Sequence, residues 1–223
     1  MQAEYLLFNI GIASSSTAGV MLYKGAKWPK LKPFATALLT VSLPYVVCDH
    51  FVTGHWWTFN PSYVLGVSLG NLPVEEVLFF FVIPWSCLII WENFKDRVQG
   101  KLRWPIAESV STVSTLLAAW AYLGERWYSF AVCAVVALFS LVSIRNDRYL
   151  QKKNFLAFLL GVLGLTLIFN GYLTARPVVL YSPNFMSNVL VGTIPVEDIF
   201  YGLVLVGGCV LSYEHSLKKR ISL

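Results

Sequence analysis

Apolar residues in this chain come in long blocks. Seven blocks, at 4–23, 33–51, 72–93, 106–123, 127–144, 154–173 and 195–214, run close to the length needed to cross a bilayer. A helix needs about 20 apolar residues for that, so seven transmembrane helices are predicted. The blocks 106–123 and 127–144 are separated only by Gly124-Glu125-Arg126, which predicts a tight helical hairpin. Basic residues collect between the blocks and alternate in density. Fifteen of the 17 Lys and Arg lie in four clusters: 24–32, 95–103, 145–153 and 218–220. The opposite side carries only Arg126 and Arg176. Loops rich in Lys and Arg stay cytoplasmic. The split therefore predicts an outside N-terminus and a cytoplasmic C-terminus, in the cell (inner) membrane.

Composition agrees with the blocks. Of 223 residues, 57% are hydrophobic and 13% charged, whereas a soluble domain averages about 25% charged. Mean hydropathy is +0.63. Met1 to Glu4 carries no Lys or Arg. The positive start of a cleavable leader is thus missing, and the first block is expected to be retained as a span. The net charge of +5 is accounted for by topology, so no nucleic-acid partner is expected. Cys48, Cys87, Cys133 and Cys209 are scattered through four apolar blocks without CxxC spacing and read as packing residues. His50 and His55 read as polar interfacial residues, and no metal site is expected.

The chain also repeats. Gly70-Asn-Leu-Pro-Val-Glu-Glu-Val77 returns as Gly192-Thr-Ile-Pro-Val-Glu-Asp-Ile199, at an offset of 122 residues. Pro61, Phe59 and Tyr63 match Pro183, Tyr181 and Phe185 at the same offset. With one gap, Asp49 and Thr53 match Asn170 and Thr174. The expected fold is an all-α integral membrane protein with two parallel three-helix repeats, 1–104 and 126–223. A connector helix at 105–125 joins them into one membrane domain. A shift of four helices preserves orientation, so the repeats should meet at a pseudo-two-fold axis along the membrane normal. The connections 50–71 and 171–194 are too apolar for ordinary loops and are expected to fold over or dip into the outer membrane face.

The chemistry sits in Pro-Val-Glu-Glu (73–76) and Pro-Val-Glu-Asp (195–198). Proline suits a first helical turn, where its missing N–H costs nothing. Acidic residues there meet the positive end of the helix dipole, so plain interfacial charges are one reading. The other is functional, because each pair runs directly into an apolar stretch and ionisable groups at membrane depth mark sites. Adjacent helical residues point about 100° apart, which predicts that one member of each pair, Glu75 or Glu76 and Glu197 or Asp198, faces the repeat interface while the other makes hydrogen bonds. Two carboxyls sharing an apolar site favour the neutral, proton-carrying form, an acid suited to protonating an alkene. Trp56, Trp57, Phe59 and Tyr181 lie close by in sequence or by repeat. They read either as an interfacial aromatic belt or as π faces for a carbocation. Asp49 and Asn170 read as helix-end hydrogen bonders or as supports for the acid. Small-residue runs at Ser14 to Thr17, Gly161/Gly164 and Gly207-Gly208 permit close helix contacts. Pro44 and Pro84 predict kinks. The chain lacks GxGxxG, Walker A and DDxxD-type motifs, and helix 195–214 has no Lys for a retinal Schiff base.

Taken together, the duplicated motif and seven spans make the chain resemble the membrane-integral, non-flavin lycopene cyclases, in their fused two-repeat form. The resemblance implies a redox-neutral isomerase, a lycopene beta-cyclase that turns linear lycopene end groups into beta-ionone rings without a cofactor. It implies Glu75 and Glu197 as acid/base residues, a carotenoid substrate, a bilayer setting and contact with other carotenoid-pathway enzymes. Two other classes stay open at the level of sequence. One is a different isoprenoid-modifying enzyme, such as a C50 cyclase or a hydratase. The other is a non-catalytic carotenoid- or lipid-binding membrane protein.

Overall fold

A computed structural model describes residues 3–221. Among the described residues, seven helices are long and apolar enough to cross a membrane. They are α1 (Glu4–Leu22), α2 (Leu31–Val52), α3 (Val74–Phe94), α4 (Ile106–Leu123), α5 (Trp127–Arg145), α6 (Lys153–Ala175) and α7 (Val196–Ile221). Short strands lie in the two long apolar connections: β1 (Trp57–Phe59), β2 (Ser68–Leu69) and β3 (Leu72–Pro73) in the first, β4 (Val179–Tyr181), β5 (Leu190–Val191) and β6 (Ile194–Pro195) in the second. The expected all-α membrane fold is therefore present, and the connections gain local sheet structure that the apolar pattern did not announce.

The chain divides into two compact units. The first takes residues up to Phe94, with Leu173–Tyr181 and the chain from Gly208 onward; the second takes Lys95–Tyr172 and Ser182–Gly207.

In the first unit, α1 packs on α3 through small polar residues. Ser16 Oγ meets Ser86 Oγ at 3.0 Å, and Trp85 Nε1 donates to Thr17 Oγ1 at 3.3 Å. Helix α2 contains a π turn at Leu38–Ser42, ending two residues before Pro44. A helical proline lacks the N–H and crowds the carbonyl four residues back; the widened turn around Thr40 accommodates both. The last turns of α7 join this unit through Ser212 Oγ to Thr40 Oγ1 (2.7 Å) and Trp91 Nε1 to Glu214 Oε1 (2.8 Å). Gly208 lets α7 approach Val41, whose Cγ1 lies 3.2 Å from where a Cβ would stand.

Strands β1 and β4 pair antiparallel, with Trp57 opposite Tyr181, Thr58 opposite Leu180 and Phe59 opposite Val179. Thr58 and Leu180 are repeat equivalents, so the pairing is centred on matching residues. Below this sheet, Tyr5, Val64, Leu173 and Val178 form a buried cluster with Phe59, Tyr63 and Phe79 packed against it. The bidentate pair of Arg176 with Glu4, at 2.9 and 3.0 Å, ties the start of α1 to the β4 segment.

In the second unit, α4 and α5 form the expected hairpin. Its turn holds Glu125 at φ 56°, and Arg126 stacks 4.5 Å from the Trp120 ring centre. Gly207 carries α7 past the Phe139 ring, 2.8 Å from a would-be Cβ. At Gly161 and Gly164, by contrast, nothing among the described residues lies within 4 Å of a would-be Cβ, so the close approach they permit is not made there. In the α5–α6 loop, Asp147 bridges Lys101 and Lys152 at 3.0 Å each. Hydrogen bonds from Lys101, then Lys152, hold its carboxyl well below the usual carboxylate range. The lowered carboxyl stabilises the loop above that usual range, and the contribution fades as pH falls toward the folded-state value.

Each repeat ends its connection with a two-residue hairpin, Gly70-Asn71 or Gly192-Thr193, with glycine at φ 64° and 65°. Non-glycine residues strain there, by about 1 kcal/mol or more. Both Gly70→Ala and Gly192→Ala should therefore lower the unfolding midpoint in detergent. Gly70→Ala should lower it more, because its Cβ would stand 2.1 Å from His50 Cε1, whereas nothing lies within 4 Å of a Cβ at Gly192. Equal midpoints for the two variants would contradict this packing.

Candidate active site

Both acidic motifs are built by the same local device. The hairpin β2–β3 delivers the chain into α3, and β5–β6 delivers it into α7. The entering helix is locked back onto its loop: Val74 N–H donates to Val67 O and Val196 N–H to Val189 O, both at 3.0 Å. One residue before each acceptor the backbone is left-handed, at Gly66 (φ 80°) and Asn188 (φ 63°). Glycine and asparagine are the residues that tolerate that conformation. The bend turns the preceding N–H inward. Leu65 N–H donates to Glu75 Oε1 at 2.7 Å, and Ser187 N–H donates to Glu197 Oε1 at 2.6 Å. Every position in this device recurs at the offset of 122, although Leu65 and Gly66 are replaced by Ser187 and Asn188.

Glu75 is fully buried and Glu197 is 4% exposed. In each, Oε1 is anchored and Oε2 is buried without a hydrogen-bond partner among the described residues. A buried polar atom left without a partner costs about 1–3 kcal/mol, and the same atom is left so in both repeats.

The second carboxylate of each pair is held differently. Tyr5 Oη donates to Glu76 Oε2 at 2.5 Å. Tyr128 Oη donates to Asp198 Oδ1, and Asn170 Nδ2 donates to Asp198 Oδ2 at 3.0 Å. The donors around the first carboxylate also differ between repeats. Ser129 Oγ adds a bond to Glu197 Oε1 at 2.5 Å. On the other side, Asn9 Nδ2 bridges Tyr5 O and the backbone oxygen of Glu75, at 3.2 and 3.0 Å.

The residues expected from sequence fall into two groups. In the first unit, Glu75, Glu76, Asp49, Trp56, Trp57, Phe59 and Tyr181 come together. Asp49 is buried and, like Tyr181, lies in electrostatic reach of the Tyr5 hydroxyl. Trp57 is buried between Trp56 and Tyr181, with ring centres 6.0 and 6.2 Å away. In the second unit, Glu197, Asp198 and Asn170 form one hydrogen-bonded group around the start of α7. Sequence reasoning missed Tyr5, Asn9, Tyr128 and Ser129. A signal was present for the tyrosines: each is the second residue of the first helix of its repeat, α1 or α5.

Both motifs thus set a buried carboxyl, bare on one oxygen among the described residues, at the start of an apolar helix in a chain with seven membrane-length helices. A family model described as lycopene cyclase matches the chain twice, over residues 3–94 and 125–216. The chain belongs to the lycopene cyclase family; it is a carotenoid cyclase working on a carotenoid among lipids. No curated protein and no solved structure matches the sequence.

The Arg176–Glu4 pair braces the first site from outside, since Glu4 precedes Tyr5. Arg176→Ala leaves the buried Glu4 carboxylate without this bidentate partner. Arg176 is half exposed, so the cost should be moderate, about 1–2 kcal/mol. Thermal unfolding of the single and double variants checks it: Glu4→Gln with Arg176→Ala should cost less than the two single losses added together.

Proposed function

We propose that this cyclase converts the linear end groups of lycopene into beta-ionone rings, as a redox-neutral isomerase. Glu75 and Glu197 are the acid/base residues, and Glu76 and Asp198 support them. The observation that carries the reading is the bare, buried Oε2 repeated on both. With Oε1 anchored to a backbone N–H, the proton of a neutral carboxyl is directed to the buried, unpartnered Oε2, where an alkene is a competent acceptor.

The reaction then follows from carbon chemistry. The carboxyl gives its proton to C2 of the end group, leaving a cation at C1. The C5–C6 double bond attacks C1, forming the C1–C6 bond and moving the cation to C5. A carboxylate removes the proton from C6, and the new C5–C6 double bond completes the ring. One proton is given and one returned, and no electrons leave the substrate. Aromatic rings near the first acid, Trp57, Phe59 and Tyr181, supply π faces for the cation.

Two homologous three-helix repeats, 1–104 and 126–223 around the connector 105–125, account for the duplicated acid. The Lys/Arg asymmetry supports an outside N-terminus and a cytoplasmic C-terminus in the cell membrane, with the motifs toward the outer face. Other carotenoid-pathway enzymes are the expected suppliers of the hydrophobic substrate.

Expression in a lycopene-accumulating host tests the assignment. Wild type should yield monocyclic and bicyclic beta-ring pigments. Glu75→Gln and Glu197→Gln should each abolish ring formation while the protein remains in the membrane. Full activity in both single variants would overturn the acid assignment. Rings of another type, or hydrated products, would overturn the beta-cyclase reading.

A further inference from the structure

In both repeats a tyrosine hydroxyl closes on the second carboxylate of the acidic motif. The rings are almost wholly buried, Tyr5 at 1% and Tyr128 at 2% exposure. Each is the second residue of its helix, so the two contacts are repeat equivalents although they differ by one residue from the common offset. We propose that Tyr5 and Tyr128 are positioning residues for the cyclisation. They hold Glu76 and Asp198 as hydrogen-bond acceptors, and so leave Glu75 and Glu197 as the members of each pair that carry the transferable proton. The inference rests on the proposed cyclisation and assigns the division of labour within it.

A phenol has one proton to donate. The carboxylate oxygen that accepts it cannot also present a proton in that direction. At Asp198 both oxygens accept, one from Tyr128 and the other from the Asn170 amide. That leaves Asp198 in the acceptor form. At Glu76, Oε2 accepts the Tyr5 hydroxyl. The neighbouring Glu75 and Glu197 each keep a bare oxygen instead.

The first tyrosine is itself firmly placed. Its N–H donates to Tyr63 O at 3.1 Å, and Glu4 beside it is clamped by Arg176. Asn9 fastens the turn that carries Tyr5 to the turn that carries Glu75, by its bonds to both backbone oxygens. A proton that moved from Glu75 to Oε2 of Glu76 would have to displace the tyrosine bond. The hydroxyl thereby fixes which carboxyl of the pair is the acid.

The test uses the full chain in lipid nanodiscs with lycopene. Tyr5→Phe and Tyr128→Phe remove one oxygen each and keep the packed ring. Each should lower kcat about 10-fold, the scale for a buried acceptor that loses its donor, with KM unchanged. The pH–rate profile should be displaced, because the proton can now redistribute between two coupled carboxyls. Tyr5→Phe combined with Glu76→Gln should be no slower than Glu76→Gln alone. Tyr23→Phe, at the exposed end of α1, should behave as wild type. Wild-type kcat and profile in both buried-tyrosine variants would overturn the proposal. So would a loss of kcat with an unmoved profile and additive double-variant losses, which is what a purely structural role gives. Infrared spectra without substrate supply a readout independent of turnover. The carboxylate band removed by Glu76→Gln should shift in Tyr5→Phe, and an unshifted band overturns the tyrosine–carboxylate assignment. A shifted band in a wild-type protein that forms no rings would support the pairing and overturn the cyclisation reading instead.

Discussion

A carboxyl group buried at an apolar helix start needs a hydrogen bond to at least one oxygen, and here both glutamates receive one from backbone. The N–H of Leu65 in one repeat, and of Ser187 in the other, reaches Oε1 of the glutamate ten residues later. Much of the local architecture follows from that bond. The loop must turn back on itself, so a left-handed residue follows the donor. The chain must return to the membrane within a few residues, so a two-residue hairpin does it. The helix must begin at a fixed place relative to the loop, and its first N–H is tied to the residue after the bend. A backbone donor is also insensitive to side-chain drift, which suits a group whose second oxygen has to stay available.

On that shared frame the two repeats differ in their side-chain donors. Glu197 gains a serine hydroxyl on the anchored oxygen, and Asp198 gains an amide on the oxygen away from its tyrosine. The first repeat places Asn9 on backbone oxygens instead, and sets Asp49 where the second has Asn170. At matching places the first repeat thus carries an ionisable aspartate and the second a neutral asparagine that donates to Asp198. The duplicated acids are thus equal in geometry and unequal in surroundings, the condition under which two carboxyls take different roles.

Much of this was legible in the sequence. The seven helices could be read from block length, because apolar length is what a bilayer constrains. The acid pairs were visible because charge beside an apolar run is rare and the same eight-residue pattern occurs twice. Gly66 and Asn188 were also aligned, yet glycine and asparagine in a loop carry meaning only once the φ they adopt is known. The tyrosine partners lay some 70 positions from their acids; side-chain contacts at that range leave no periodic trace. Gly161 and Gly164 show the converse, a pattern of small residues that permits close approach without compelling it. The β1–β4 pairing was hidden for a further reason: three residues of strand are too few to show alternation, and their partner lies in the other repeat.

That short sheet has an implication for how the chain came to be assembled. Its register sets Thr58 against its own counterpart Leu180, with the flanking positions exchanged symmetrically on either side. This is the pairing that two separate, identical chains make across a dyad, where residue i meets j and j meets i. Nothing in the register depends on the connecting helix between the repeats. The strand contact is therefore one that a homodimer of a single three-helix ancestor could have made before gene fusion, and that fusion would merely have made permanent.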